Sequence, residues 1–286
     1  MVPSDVLRGT RDLTVGTASA GGNLVDTDLR TGDFIDILRN RLAFASAGAT
    51  ILNGLQGMVA IPRQSSATTA YWVGEGTAPT ESQTAYDQVN MSPKTVGAFV
   101  DYSRKLMLQS SLDVESLIRD DLARVIAIEL DRAGIYGTGS SNQPLGIVNT
   151  TGVNTQTITS TGTFAEIVGM ETKTATANAD IGSSYYIINA AARGGLKTTE
   201  KSASGTTGNF AYENDELNGY PVIVTNQLAS NDCLFGVFSQ MVLGLWSGLD
   251  LTVDPYAGST SGNVRVIALQ DADFALRQAA CFTYGT

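Results

Sequence analysis

The strongest structural signal in this sequence is one long amphipathic helix. From Leu112 to about Tyr136, apolar residues recur at spacings of three and four, and Gly137 and Gly139 end the pattern. Ser110 and Asp113 resemble a capping box at its start. At 1.5 Å rise per residue this helix is roughly 35 Å long, the span of a small domain. One face must be buried, and the sequence therefore predicts a helical spine.

The N-terminal segment, residues 1–32, lacks both helical and strand periodicity and is rich in Gly, Ser, Thr and Asp. Such a segment buries too little apolar surface to offset its ordering entropy alone. We interpret it as an extended arm, with Leu24, Val25 and Leu29 as candidate contacts to another surface. Residues 33–56 predict a short helix, Asp33 to Phe44, and a connection.

Residues 57–103 predict a long hairpin loop. Its predicted pieces are strands near Met58–Ile61, ended by Pro62, and near Thr69–Val73, a tip at Gly74–Gln83, a return through Tyr86–Met91, a break at Pro93 and a strand at Thr95–Tyr102. An isolated two-stranded hairpin is marginal in water. Tyr71 and Trp72 beside the predicted tip, and Glu75 and Glu81 within it, are therefore candidate contacts to a partner.

The remaining chain alternates helices and strands. Helices are predicted at Phe164–Ala179 and Ala190–Lys197, and strands at Tyr185–Asn189, Tyr220–Thr225, Cys233–Phe238, Leu249–Val253, Val264–Leu269, Phe274–Arg277 and Ala280–Tyr284. No internal repeat is visible. The pattern predicts an α+β fold.

Composition excludes several function classes. The 286 residues include 18 basic and 28 acidic side chains, which give a net charge of -10. This charge is opposite in sign to that of a dedicated nucleic-acid-binding protein, whose binding surface is basic. The absence of histidine removes the commonest general base and zinc ligand. Apolar runs such as Met241–Leu245 fall well short of the ~20 residues of a membrane span. Cys233 and Cys281, far apart in apolar surroundings, predict buried free thiols, with a single disulfide as the less favoured alternative.

No motif predicts catalysis, a cofactor or a metal site. Gly137-Thr138-Gly139 follows a helix and lacks the features of a phosphate-binding loop. Asp271 and Asp273 are two residues apart, so in a strand both carboxylates would point to the same side. The favoured interpretation is an exposed strand face, and paired acid–base catalysis is the less favoured one. Trp246, like the two tip aromatics, is more typical of packing or interfaces than of base stacking.

Several stretches, taken in order, resemble the major capsid proteins of tailed bacteriophages that share the HK97 fold. They are DLTVGTASAGGNLV (12–25), YWVGEGTAPTE (71–81), VGAFVDYSRKL (96–106), GTGSSNQPLGIV (137–148), GYPVIVT (219–225) and DPY (254–256), joined to the predicted spine helix. Each stretch alone is weak, but the series covers nearly the whole chain.

The resemblance implies an HK97-like α+β capsid fold and divides the chain accordingly. The implied parts are an N-terminal arm (1–32), a short helix and connection (33–56), an extended loop (57–103), a peripheral domain with the spine helix (104–148), a mainly axial domain (149–253) and strands returning to the peripheral domain (254–286).

The same resemblance implies a structural rather than enzymatic role. Subunits would form pentamers and hexamers of an icosahedral head that encloses double-stranded DNA without sequence-specific binding. The implied partners are further copies of the chain, a portal, a scaffold or maturation protease and a decoration protein, with no membrane. The protein would be a virion component assembled in the bacterial host cytoplasm.

Two departures from the family pattern affect these expectations. Some members join a hairpin lysine to a neighbour's asparagine, but Thr77–Glu81 contains no lysine, and no acidic residue clearly matches the helper position near Asn263. Autocatalytic crosslinking is therefore predicted to be absent. Many members also carry a removable N-terminal scaffolding segment, whereas this sequence opens close to the arm. That start fits a processed form, a shortened recombinant chain or a phage with a separate scaffold.

Three other classes remain as alternatives. An encapsulin compartment shares the fold but would present an N-terminal cargo-binding helix, which the Gly/Thr-rich arm argues against. An enzyme would need convergent polar groups in a pocket. A tail or adhesin protein would favour repeated β segments over a long helix.

Overall fold

The computed structural model describes residues 43–109, 113–159, 162–179, 181–201, 209–258 and 260–286. The predicted arm, and the predicted helix Asp33–Phe44 except for its last two residues, lie outside these ranges. In chain order the strands are β1 (Thr50–Asn53), β2 (Val59–Ser66), β3 (Ala85–Met91), β4 (Lys94–Ser103), β5 (Asn154–Gln156), β6 (Tyr185–Ile188), β7 (Tyr212–Glu213), β8 (Glu216–Leu217), β9 (Tyr220–Val224), β10 (Cys233–Gly236), β11 (Met241–Leu245), β12 (Asp250–Gly258), β13 (Asn263–Leu276) and β14 (Phe282–Gly285). The helices are α1 (Arg104–Gln109), α2 (Val114–Tyr136), α3 (Phe164–Thr176) and α4 (Ala190–Leu196).

The predicted spine helix is confirmed as α2. Asp113 caps its N-terminus, where the carboxylate accepts a hydrogen bond from Ser116 N at 3.3 Å. Its C-terminal end is fixed by Gly137, where a Cβ atom would lie 2.3 Å from the carbonyl oxygen of Pro144. Only glycine permits this close approach of the following loop.

The buried face of α2 packs on a five-stranded sheet. Strand β13 is the centre of that sheet: β4 pairs along one side of it, while β12 and β11 share the other side, and β1 pairs in parallel with β11. Leu122 and Ile126 of the helix pack against Val266 and Ala268 of β13. The helix and sheet together form one layered unit.

A seven-stranded sheet of order β5-β14-β10-β6-β9-β8-β7 forms the second unit. Helix α3 covers it, and Ile167 and Met170 of that helix are buried with Tyr186 and Phe235 of the sheet. A third cluster, containing Ile135, Leu234, Phe238, Phe274 and Phe282, draws residues from both sheets and joins them.

The hairpin prediction is confirmed in part. Strands β2 and β3 form an antiparallel ribbon from Val59↔Met91 to Ser66↔Ala85, and β2 continues through Pro62, where a strand end was predicted. Proline is tolerated because each strand of a two-stranded ribbon has a free edge. The strand predicted at Thr69–Val73 is wrong, since residues 67–84 contain no strand. The facing return segment, 80–84, is polar and offers no apolar cross-strand neighbours.

The predicted strand after Pro93 exists as β4, but it leaves the ribbon and joins β13 in the five-stranded sheet. The two predicted strands Val264–Leu269 and Phe274–Arg277 are one continuous strand, β13. The residues between them, 270–273, were assigned to neither predicted strand, and the hydrogen bonds of Asp271 and Asp273 within the sheet are described below. Strand β11 and helix α1 were not predicted as such.

Candidate intersubunit interface

The root of the hairpin is packed against the five-stranded sheet. Met91 is buried with Val242 and Ala275, and the partly buried Trp246 joins the same cluster. The indole Nε1 of Trp246 donates a hydrogen bond to the carbonyl oxygen of Gly57 at 2.6 Å. The prediction that Trp246 serves packing is therefore confirmed.

A buried carboxylate fixes the exit of the hairpin. Asp273 is 3% exposed, and it accepts hydrogen bonds from Lys94 Nζ at 2.8 Å and from Ser92 N at 3.0 Å. Its neighbour at strand period, Asp271, accepts a hydrogen bond from the Thr95 hydroxyl. The expectation of an exposed carboxylate face is wrong for Asp273, because Lys94 supplies the countercharge that permits burial.

The hairpin stem carries few apolar contacts beyond its root. Arg63 and Asp87 face each other across the ribbon, with Nη2 2.8 Å from Oδ2, and this hydrogen bond lowers the pKa of the Asp87 carboxyl. Farther out, Thr69 N donates to Ser82 Oγ at 2.9 Å, and Ser82 Oγ donates back to Thr69 O. The two sides of the tip are therefore connected by hydrogen bonds between one pair of polar residues, and not by apolar packing.

The tip, defined here as residues 67–84, exposes the largest apolar side chain of the hairpin. Trp72 is fully exposed, and Tyr71 and Val73 are each about half exposed. Glu75 and Glu81 are exposed beside them, and the tip contains no lysine or arginine. A fully exposed tryptophan in a monomer is unusual, because this residue type is highly buried on average.

The structure thus brings four of the predicted contact residues, Tyr71, Trp72, Glu75 and Glu81, into one exposed loop. The other three, Leu24, Val25 and Leu29, lie outside the described residues. The contacts of all seven with a partner stay a prediction.

Sequence reasoning missed a second exposed apolar surface, on α1. Leu106, Met107 and Leu108 are 47%, 41% and 75% exposed. Their signal in the sequence was three consecutive large apolar residues after a basic pair, a pattern that fits no single buried face of a helix or strand.

Two further buried carboxylates are structural. Asp131 on α2 accepts hydrogen bonds from the backbone N–H groups of Ala43 and Phe44, at 2.9 and 3.1 Å. Burial raises the pKa of Asp131, although these two donors act in the opposite direction. This carboxylate attaches the first described residues of the chain to the spine helix.

Asp232 connects α2 to the C-terminal strand. Its Oδ2 atom accepts hydrogen bonds from the hydroxyl groups of Tyr136 and Tyr284, the latter at 2.6 Å. Burial is the largest cause of a raised pKa in both tyrosines, and it raises the pKa of Tyr284 to about 12. The network thus joins the C-terminal end of helix α2 to strand β14 of the seven-stranded sheet through one buried carboxylate.

The described ranges contain no group of three or more His, Cys, Asp or Glu residues arranged to hold a metal ion. A cleft of about 310 Å³ at the hairpin root is lined by Lys94 and Asp273, whose charges pair with each other. Both cysteines are buried and free, as predicted. No helix within the described part of the chain is long and apolar enough to span a membrane.

Comparison with known proteins agrees with this architecture. The sequence profile of the phage capsid family matches residues 21–286. The chain is 36% identical over 267 residues to the major capsid protein of Halomonas phage phiHAP-1. The matched region covers 93% of this chain and 44% of that relative. The chain thus spans less than half the length of this curated relative.

Solved capsid structures share the fold. The capsid chain of the native GTA particle superimposes with a TM-score of 0.77 at 18% identity, covering 96% of this chain and 98% of that one. A chain from Microbacterium phage Oxtober96 gives a TM-score of 0.75 at 15% identity, covering 96% and 99%. The predicted HK97-like α+β capsid fold is confirmed, and the chain belongs to the phage capsid family.

Proposed function

We propose that this chain is the shell-forming subunit of a phage head, assembling with copies of itself into pentamers and hexamers of a closed icosahedral shell around double-stranded DNA. Family membership supports a structural role. The similar GTA chain comes from a particle capsid computed with C5 symmetry, which is the symmetry of a ring-shaped pentamer. The protein would act in the virion.

The observation that carries the proposal is the hairpin. Its stem is anchored at the root by Met91 and Trp246, whereas its tip presents Tyr71 and Trp72 to solvent. Such a ribbon gains little stability from its own chain. Covering the tip with a second copy would bury this apolar surface, and repetition around a ring would multiply a weak contact.

We propose that the two sheets correspond to the peripheral and axial parts of the subunit. The five-stranded sheet with α2 fits the peripheral domain, and the seven-stranded sheet with α3 fits the axial domain. Strand β14 pairs with β10 in the seven-stranded sheet. In this proposal the last strand therefore belongs to the axial part, whereas the sequence-based division placed residues 254–286 with the peripheral domain.

The net charge of -10 suits a wall that encloses DNA without holding it tightly. Equal retention of DNA by empty shells at low and high salt supports this part of the proposal, and strong salt-sensitive retention contradicts it. A portal, a scaffold or maturation protease and a decoration protein are further proposed partners.

The direct test of the proposed function is size-exclusion chromatography of the purified protein followed by negative-stain electron microscopy near neutral pH. Closed shells, or rings of five and six subunits, are the expected result. A protein that stays monomeric even with phage scaffold and portal supplied would overturn the proposal.

A further inference from the structure

The sequence contains two Asn-Gly dipeptides in nearly the same local setting, LNGL at residues 52–55 and LNGY at residues 217–220. Asparagine is a thermolabile residue. Its side-chain amide carbon reacts with the backbone nitrogen of the next residue, and glycine hinders this reaction least because it has no Cβ atom. Since the flanking residues are so alike, a difference in reactivity between the two sites has to come from the fold.

The first dipeptide lies at the end of an edge strand. Asn53 is the last residue of β1, an outer strand of the five-stranded sheet that pairs only with β11 among the described strands. Its side chain is exposed and forms no hydrogen bond with another described residue. The amide carbon is therefore free to rotate toward the main chain.

The attacking nitrogen, Gly54 N, is also uncovered. Gly54 has a φ of +71°, and a Cβ atom added there would meet no other atom within 4 Å. Its N–H group forms no hydrogen bond within the described ranges, whereas that of Leu55 donates to the carbonyl oxygen of Leu245 at 3.2 Å. An unpaired N–H group beside an edge strand is open to solvent, so no hydrogen bond has to break before the nitrogen attacks.

The second dipeptide is held by two restraints. Asn218 and Gly219 form the two-residue turn between β8 and β9, with φ of 54° and 81°, as in a type I′ turn. The half-buried amide of Asn218 donates a hydrogen bond from Nδ2 to the carboxylate of Glu171 on α3. That carboxylate also accepts a hydrogen bond from the Tyr220 hydroxyl at 2.9 Å. Reaction at this site requires the turn to open and the carboxylate contact to break.

We propose that Asn53 is a site of spontaneous deamidation in the folded protein, and that Asn218 is protected. Gly54 N bonds to the Cγ atom of Asn53 and loses its proton, while Nδ2 leaves as ammonia, which yields a cyclic succinimide. Water then opens the ring at either carbonyl and gives aspartate or isoaspartate. The net reaction consumes one water molecule and releases one ammonia, without an oxidant or cofactor. This modification goes beyond the proposed function and does not depend on assembly.

Isoaspartate at position 53 would alter the root of the hairpin. In that product the main chain passes through the former side chain and is longer by one methylene group. The hydrogen bond from Leu55 N to Leu245 O follows directly after the lengthened link. The bond from Trp246 Nε1 to the carbonyl oxygen of Gly57, at 2.6 Å, comes next along the chain. The added length shifts the residues that make both contacts, so the modified chain holds its hairpin less firmly.

Peptide mapping by mass spectrometry tests the proposal on the purified full chain. Unassembled subunits are incubated at mildly alkaline pH and digested with trypsin at intervals. The tryptic peptide 42–63 contains Asn53 as its sole asparagine, so its mass reports conversion there, and fragment ions assign conversion at Asn218. In the folded protein Asn53 is expected to react at least about tenfold faster than Asn218, because the second site reacts only from a locally opened state.

The same incubation in urea supplies the matched control. Unfolding removes the structural differences between the sites, so rates within about twofold of each other are expected. Equal rates in the folded protein, or faster conversion of Asn218, overturn the proposal. Conversion of Asn53 in urea but not in the folded protein overturns it as well.

Asn53→Gln tests the assignment to this residue. The substitution keeps a carboxamide but moves it one methylene group farther out, where ring closure is unfavourable. Peptide 42–63 of this variant is expected to stay unconverted. Conversion in the variant at the rate of the unmodified protein would place the reaction at Gln56 and overturn the assignment.

Asn53→Asp separates the new charge from the longer main chain, because it introduces the carboxylate alone. Urea unfolding is expected to give this variant the midpoint of the unmodified protein, and to give the chromatographically isolated isoaspartate fraction a lower midpoint. Equal midpoints for all three would overturn the effect on the hairpin root. A midpoint of Asn53→Asp as low as that of the isoaspartate fraction would assign the effect to charge and overturn the role of main-chain length.

Discussion

Lys94 Nζ lies 2.8 Å from Asp273 Oδ1, at the point where the hairpin becomes part of the body. The side chains are 22% and 4% exposed, so solvent screens this ion pair weakly. Asp273 also binds Ser92 N, which means that one carboxylate holds the residues on both sides of Pro93. The direction in which the hairpin leaves the sheet depends on this anion.

Replacing Lys94 by methionine is expected to destabilise the subunit strongly. The substitution keeps an unbranched side chain but leaves the buried Asp273 carboxylate without a countercharge, a change that costs about 3–5 kcal/mol when a buried pair is broken. Urea unfolding of unassembled subunits measures it. Arg63→Met, which removes the exposed pair with Asp87, is the control and is expected to leave the unfolding midpoint nearly unchanged. Equal effects of the two variants would contradict this account.

Asp131→Asn is expected to cost about 1–2 kcal/mol, because an amide oxygen replaces only one of the two acceptors that bind Ala43 N and Phe44 N. The effect depends on pH. The folded pKa of Asp131 is raised above its unfolded value of about 3.9, so its contribution to stability is present below about pH 4 and is lost as pH rises through the folded pKa.

The advantage of the unmodified protein over Asp131→Asn is therefore expected to shrink between about pH 4 and about pH 7. Urea unfolding of both proteins at the two pH values measures this difference. An advantage that grows with pH would show that the two backbone donors outweigh burial.

The Asp232 network predicts a loss of stability in alkali. The pKa of Tyr284 is raised to about 12 from an unfolded value near 10, so its stabilising contribution is complete below about pH 10 and is lost as pH rises through about 12. Tyr284→Phe removes one donor to a carboxylate and is expected to cost about 1.5–3 kcal/mol at neutral pH. It should also lose less stability in alkali, while Tyr136 retains part of the dependence.

Thermal unfolding from neutral to alkaline pH, followed by circular dichroism, checks both parts of this prediction. Tyr256→Phe is the control, because Tyr256 is 82% exposed and removal of its hydroxyl should leave stability unchanged. An identical alkaline loss in Tyr284→Phe and the unmodified protein would exclude Tyr284 as its source.

The sequence predicted the elements whose periodicity is local. The bounds of helices α2 and α3 and of strands β6 and β9 agree with expectation within a few residues. Apolar spacing and local capping are sufficient there. Helix α3 shows the capping explicitly, because Thr163 and Glu166 form a capping box.

The errors arose where a distant partner decides the structure. Asp273 was expected on an exposed strand face, yet Lys94, 179 positions away, supplies the countercharge that permits its burial in β13. The segment Thr69–Val73 has high β propensity, but no strand in the described ranges pairs with it. The exposure of Tyr71 and Trp72 was predictable because a loop with a weak core leaves its aromatic side chains uncovered, whereas α1 was missed because six residues carry too little periodicity.

Mature shells are expected to dissociate to monomers on a denaturing gel. The tip contains no lysine to attack a neighbour's asparagine, and Asn263 pairs with Ser103 and Gly258 in the sheet. Noncovalent contacts alone would therefore hold the subunits together. Denaturing electrophoresis of shells under reducing conditions provides the measurement, and a ladder of multiples of the 30.0 kDa subunit would refute the prediction.

Trp72→Ala separates assembly from folding most sharply. Trp72 is fully exposed and makes no buried contact with the described part of its own subunit, so the free energy of unfolding should change by less than about 0.5 kcal/mol. Shell yield, measured by sedimentation and negative-stain microscopy, should fall by about tenfold or more, since aromatic anchors dominate interfaces and the loss is repeated at every copy. Tyr86→Ala, on the stem and 74% exposed, is the matched control and should assemble normally. Normal assembly of Trp72→Ala would show that the tip is not an interface, because the subunit itself remains folded.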